Sequence, residues 1–190
     1  MTPRSPNIAH RYIHECGRSA DSPPFFIEAQ SIAEALKLSN LNSSDLKRDD
    51  TKQLDSLLAE IHHNFGCVGT ETNDPKCCLV HFERFNELMM QEVGDDVQGN
   101  DKRLAISWNE LGNAYMLNGM WAKGEESFKR SISTMQRVDN FKWTDVSFPL
   151  VNLGLAYWLT DRSEKAIEIL IEGLGHREAV YGIDDKESFM

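Results

Sequence analysis

Apolar residues recur three and four positions apart along most of this chain. Nowhere do they alternate with polar ones for long enough to suggest a strand. After the cap-and-proline signal Asp21-Ser22-Pro23-Pro24, residues Phe25, Phe26, Ala29, Ile32, Ala33 and Leu36 predict a helix ending near Ser39-Asn40. Leu54, Leu57, Leu58, Ile61, Phe65 and Val68 share one face of a second helix, beginning around Thr51 and broken at Thr70 to Asp74. Asp74-Pro75 caps a third, which carries Leu79, Phe82, Phe85, Leu88 and Met89. A fourth runs from Asp101 to Asn118-Gly119, where glycine supplies a left-handed stop. Three more follow at roughly 121–138, 143–159 and 162–177, with Asp161 and Glu164 spaced as a capping box for the last. Residues 1–20 have neither period and read as an irregular lead-in; residues 40–52 and the stretch from Gly94 to Asn100 read as loops.

The helices come in pairs, and the pairs repeat. Gly66, Gly112 and Gly154 each fall in the first helix of a pair, preceded by Phe65, Leu111 and Leu153. Twelve positions after each glycine stands a small residue, Cys78, Gly124 or Ala166; four further on stands a large one, Phe82, Phe128 or Leu170. Tyr115 and Tyr157 follow their glycines by three, where the first pair has Gly69. Small residues on facing helices allow close approach, and the large ones fill the space where one hairpin stacks on the next.

Trp108, Leu111, Gly112 and Tyr115, followed by Gly124 and Phe128, make a Trp-x2-Leu-Gly-x2-Tyr and small-x3-Phe pattern that resembles the tetratricopeptide repeat. The third pair matches with Leu150 in place of the tryptophan, and the first has His62 and Gly69 at aromatic positions. The glycines lie 46 and 42 residues apart (66 to 112 to 154), longer than the usual repeat of about 34. That length resembles the kinesin-light-chain type common in fungal proteins. The resemblance implies an all-α fold, a tetratricopeptide-type right-handed helical-hairpin solenoid. The implied organisation is a lead-in over 1–20, an array over 21–182 and a tail over 183–190. The array divides into a half unit at 21–40 and units at about 53–93, 101–138 and 143–180.

The net charge of −10 disfavours nucleic acid as a partner. No apolar run reaches the roughly 20 residues of a membrane span, so no membrane partner is expected. The N-terminus carries Arg4, His10, Arg11 and His14 without an apolar core, unlike a secretory signal. The four cysteines, Cys16, Cys67, Cys77 and Cys78, show no framework spacing and read as reduced thiols of a cytoplasmic or nuclear protein. His62, His63, Cys67, Cys77, Cys78 and His81 crowd the first pair. The repeat register claims Cys78 for packing, and no metal site or cofactor is expected. No catalytic motif occurs, and the chain reads as a non-enzyme.

The family resemblance places first helices along a concave groove. Carried over position by position, that puts Asn109, Asn113 and Met116 in the groove from the second pair, and Val151, Leu155 and Trp158, with Phe148, from the third. Asn64 and Asn152 match places where related arrays hold a peptide main chain with asparagine amides. Glu110 occupies that place in the second pair and interrupts the ladder. The groove lacks the lysines and arginines that would grip a terminal carboxylate. The expected function is a non-catalytic scaffold that binds a peptide segment or partner protein, with the array completed by self-association or by a partner. The alternative is an accessory or regulatory subunit of a pathway or biosynthetic complex, in which the array serves assembly.

Overall fold

The computed structural model describes residues 23–41, 48–93, 101–139 and 142–181. The expected lead-in, the loop at 94–100 and the tail lie outside them. Among the described residues there are seven helices and no strand: α1 Pro23–Leu41, α2 Arg48–Glu71, α3 Pro75–Val93, α4 Lys102–Leu117, α5 Trp121–Met135, α6 Trp143–Leu159 and α7 Ser163–Tyr181. The chain divides into two compact units, Met1–Glu92 and Val93–Met190.

In the first unit, α1 docks through Phe26, which is fully buried against Ile61, Phe65 and Val68 of α2. The Phe26 and Phe65 rings meet edge to face with centroids 5.2 Å apart. A Cβ added at Gly66 of α2 would lie 2.4 Å from Cε1 of Phe82 on α3, so only glycine fits beneath that ring.

The second unit repeats this construction twice. In the α4–α5 hairpin, a Cβ at Gly112 would stand 2.5 Å from Phe128. In the α6–α7 hairpin, a Cβ at Gly154 would stand 2.7 Å from Leu170. Phe128 reaches beyond its own hairpin. It is buried with Leu153, Ala156, Tyr157 and Ala166 of the next one, and Met116 and Ile132 pack at the edge of that cluster. A second cluster joins Ala105 and Met135 to Val146 and Leu150. The hydroxyl of Ser131 donates to the Ala105 carbonyl at 2.7 Å in this buried interface, so the polar atom does not stay unpaired. At the rim, the Arg162 guanidinium donates to Glu125 at 2.6 Å and lies over the Tyr157 ring. With Lys129, it holds the Glu125 carboxyl below the usual carboxylate range.

The turns within the hairpins are built alike. Asn73, Gly119 and Asp161 all adopt the left-handed conformation, with φ of 55, 70 and 58°. In each case the following N–H reaches back five residues: Asp74 to Gly69 at 2.8 Å, Met120 to Tyr115 at 2.8 Å and Arg162 to Tyr157 at 2.9 Å. This is the glycine-type helix stop in triplicate. Its recurrence corrects the capping-box reading of Asp161. That residue closes α6 in the place Gly119 holds behind α4, and its backbone is committed to the turn. Asp74 does cap, accepting from the Cys77 N–H at 3.1 Å, and Asp101 accepts from the Arg103 N–H at 2.8 Å.

These turns yield a matched pair of outcomes. Left-handed backbone costs a residue with a Cβ about 1 kcal/mol relative to glycine, somewhat less for Asp and Asn. Gly119→Ala is therefore expected to lower unfolding free energy by about 1 kcal/mol. Asp161→Gly is expected to raise it by a few tenths to about 1 kcal/mol, both read from urea melts followed by circular dichroism.

Candidate functional site

The residues expected to form the groove separate into four environments. Asn109 and Asn113 on α4 and Asn152 on α6 come together in the second unit, where they line a pocket of 520 Å³. Val151, Leu155 and Trp158 stand exposed along α6, with 58% of Trp158 accessible. Met116 is half-buried against the Phe128–Tyr157 cluster and lies over Gly124. Asn64 is buried in α2, in the first unit.

The pocket lies between α4 and α6, over Ser131 and Met135 of α5. Its polar lining is a connected set. The Asn152 amide donates to the Asn109 carbonyl oxygen at 3.0 Å, linking the two helices. The Asn109 amide donates in turn to one Glu110 carboxylate oxygen at 3.3 Å, and the Asn113 amide to the other at 3.4 Å. Across the mouth, Lys102 donates to Asp145 at 2.7 Å. The remaining wall is apolar: Ile106, Met135, Phe148 and Pro149. Pro149 lies inside α6, where it removes one rung of the helical ladder next to the pocket.

Glu110 is the residue that sequence reasoning passed over. Its repeat position reads as a break in an asparagine ladder, yet it accepts from Asn109 and Asn113 on either side of it. Its burial pushes the carboxyl above the ordinary range, and the two amide donors only partly offset this. No lysine or arginine pairs with it among the described residues. The available signal was an acidic residue at the register position that holds asparagine, Asn152, one repeat later.

The histidines and cysteines of the first unit come together differently. His62 and His81 share a hydrogen bond between their Nδ1 atoms at 2.9 Å, and His81 stacks on Phe65 with centroids 4.4 Å apart. Burial first, then the charges of His81 and Arg84, lowers His62 to a pKa of about 4, so the ring is neutral near neutral pH. The Cys78 thiol is fully buried and donates to the Gly66 carbonyl. Burial raises the Cys77 thiol, the opposite of what an activated nucleophile needs. Among the described residues, no three His, Cys, Asp or Glu side chains converge as metal ligands. No helix among them is long and apolar enough to cross a membrane.

The same stretch that builds the pocket also matches a family. Residues 103–179 fit the tetratricopeptide repeat model. The α4–α7 segment is a pair of tetratricopeptide repeats. Solved structures extend the fold to most of the chain. The nearly identical TPR-like repeats of a Podosopora anserina protein designated a kinesin light chain superpose with a TM-score of 0.62 at 12% identity. That match covers 93% of this chain and 75% of that one. BtubC (BKLC) from P. vanneervenii superposes with a TM-score of 0.53 at 16% identity, over 96% of this chain and 91% of that one. At such identities the likeness is one of fold: an all-α helical repeat of tetratricopeptide type. No curated protein matches the chain. Tetratricopeptide repeats generally mediate protein–protein interaction or scaffolding and are typically non-catalytic.

Glu110 has a readable pH signature. Its folded pKa is raised above 4.5, so its contribution to stability is fully present below 4.5 and is lost as pH rises through the folded value. Relative to Glu110→Gln, which cannot titrate, the wild-type chain should lose stability as pH rises from about 4.5 to neutrality. Paired urea melts across that window give the difference directly. A constant difference would mean that the carboxyl is not desolvated.

Proposed function

We propose that this chain is a non-catalytic scaffold whose tetratricopeptide unit binds a peptide segment of a partner protein along its first helices, α4 and α6. One observation carries the reading. Between these helices lies a 520 Å³ pocket whose polar lining includes three side-chain amides and the Glu110 carboxylate they surround. An amide offers both donor and acceptor, which is what an extended main chain presents. Val151, Leu155 and Trp158, exposed on the same helix as Asn152, supply apolar contacts, with Trp158 the natural anchor. Met116 contributes through its half-buried edge. The partner is a protein or peptide in the cytoplasm or nucleus. The net charge of −10 argues against nucleic acid.

A second reading has its own observation. Ile106, Met116, Phe128 and Ile132 of the α4–α5 hairpin pack into the clusters shared with the next hairpin. Their equivalents 42 positions later, Phe148, Trp158, Leu170 and Leu174, are exposed. The α6–α7 face thus has the composition of a seat for a further hairpin, from a second copy of the chain or from another subunit. On this reading the array serves assembly, as in an accessory or regulatory subunit.

Selection from a display library of random twelve-residue peptides separates the two. The groove reading expects selected peptides to bind with micromolar affinity, and the Leu155→Ala, Trp158→Ala double variant to bind at least about tenfold more weakly. Failure to select any binder, together with self-association that the same double variant abolishes, would favour assembly.

A further inference from the structure

We infer that the Glu110 pocket receives a basic side chain of the partner segment, arginine in preference to lysine. This rests on the groove reading above and adds to it the chemistry of one residue of the ligand.

The pocket's unspent polar atoms include acceptors beside its one unpaired carboxylate. One N–H of the Asn152 amide is committed to Asn109, and one each from Asn109 and Asn113 to Glu110; the Asn113 and Asn152 carbonyl oxygens stand beside the carboxylate as further acceptors for a ligand. The two bonds to Glu110 are long, at 3.3 and 3.4 Å, against about 2.9 Å for a good N–H···O bond. A carboxylate accepts about four hydrogen bonds, so these two leave room for shorter, charge-assisted ones. The other carboxylate at the pocket, Asp145, is already neutralised by Lys102. Glu110 is the one that lacks a counter-ion among the described residues, and it lies in a cavity large enough for a side chain.

A ligand group that fits must offer donors and no acceptors, carry positive charge, and bring an apolar stem. Ile106, Met135, Phe148 and Pro149 would line the stem. Arginine meets all three conditions. Its planar guanidinium holds five N–H groups, enough to reach Glu110 and the neighbouring carbonyls together, where an ammonium has three on a point charge. The raised carboxyl of Glu110 supports this: its desolvation is only partly offset by the two amides, and an incoming cation would supply the rest. The acidic chain as a whole, with net charge −10, attracts such a segment.

The test uses Nα-acetyl-arginine amide, Nα-acetyl-lysine amide and Nα-acetyl-citrulline amide, the last a neutral isostere of arginine. Each is titrated into the full chain while the side-chain amide signals of Asn109, Asn113 and Asn152 are followed by NMR. Arginine should shift these signals saturably, lysine more weakly, and citrulline at least tenfold more weakly. Glu110→Gln, with circular dichroism unchanged, should lose at least tenfold in arginine affinity. On the wild-type chain, arginine affinity should rise with pH as Glu110 ionises, a readout that needs no variant. Equal response to citrulline and arginine, or arginine binding that neither pH nor Glu110→Gln alters, overturns the inference. Display-selected peptides that lack basic residues and bind Glu110→Gln as well as wild type overturn it while leaving the groove standing. Absence of any selected peptide, with the arginine response intact, removes the groove reading instead.

Discussion

Everything in this chain depends on how closely the two helices of a hairpin approach, and a glycine under a large side chain sets that distance. At Gly66, Gly112 and Gly154, an added Cβ would meet Phe82, Phe128 or Leu170 at 2.4 to 2.7 Å. The close approach does more than join two helices. It leaves the far side of the large residue free to reach the next hairpin, as Phe128 does against Leu153, Ala156 and Tyr157. A hairpin of this size buries too little by itself to be stable. The glycine contact therefore converts local geometry into a repeating core.

The proposed binding surface inherits that geometry. With α4 and α5 drawn together and α6 stacked on them, polar side chains of the first helices converge at one place. Asn109 and Asn152 meet across α4 and α6, and Glu110 and Asn113 lie beside them. A carboxylate held there is expensive unless paired. That cost makes the pocket more informative than the exposed stripe beside it. Val151, Leu155 and Trp158 fit either a peptide or another hairpin, whereas a desolvated acid among amides has a narrower range of complements.

Packing was the most legible part of the sequence, because steric constraints act on residue size at fixed spacing. The small residue twelve after each glycine and the large one four later are visible without a structure. Turn chemistry was legible where glycine announced it, at Gly119, and obscure at Asp161, because aspartate serves both as a helix cap and as a tolerated left-handed residue. The register would have resolved it, since Asp161 follows Gly119 by the same 42 positions that separate Gly112 from Gly154. The site was harder still. Position in the repeat could place Asn109, Asn113 and Asn152 on first helices, but not show which of them share a pocket. Glu110 read as an interruption because the sequence does not reveal that its charge is desolvated. That depends on how much of α5 and α6 closes over α4.

The central claim is that glycine beneath a large side chain fixes the hairpin, and a double-mutant cycle between Gly112 and Phe128 tests it most directly. Gly112→Ala forces a methyl into the Phe128 ring and should cost about 1 to 3 kcal/mol, the usual range for overpacking. Phe128→Leu alone should also destabilise, by loss of buried surface. If the account holds, the double variant is more stable than the sum of the two losses predicts, by about 1 kcal/mol or more, because the smaller side chain makes room for the methyl. Strict additivity of the two losses would contradict it and show that the glycine is not held by that ring.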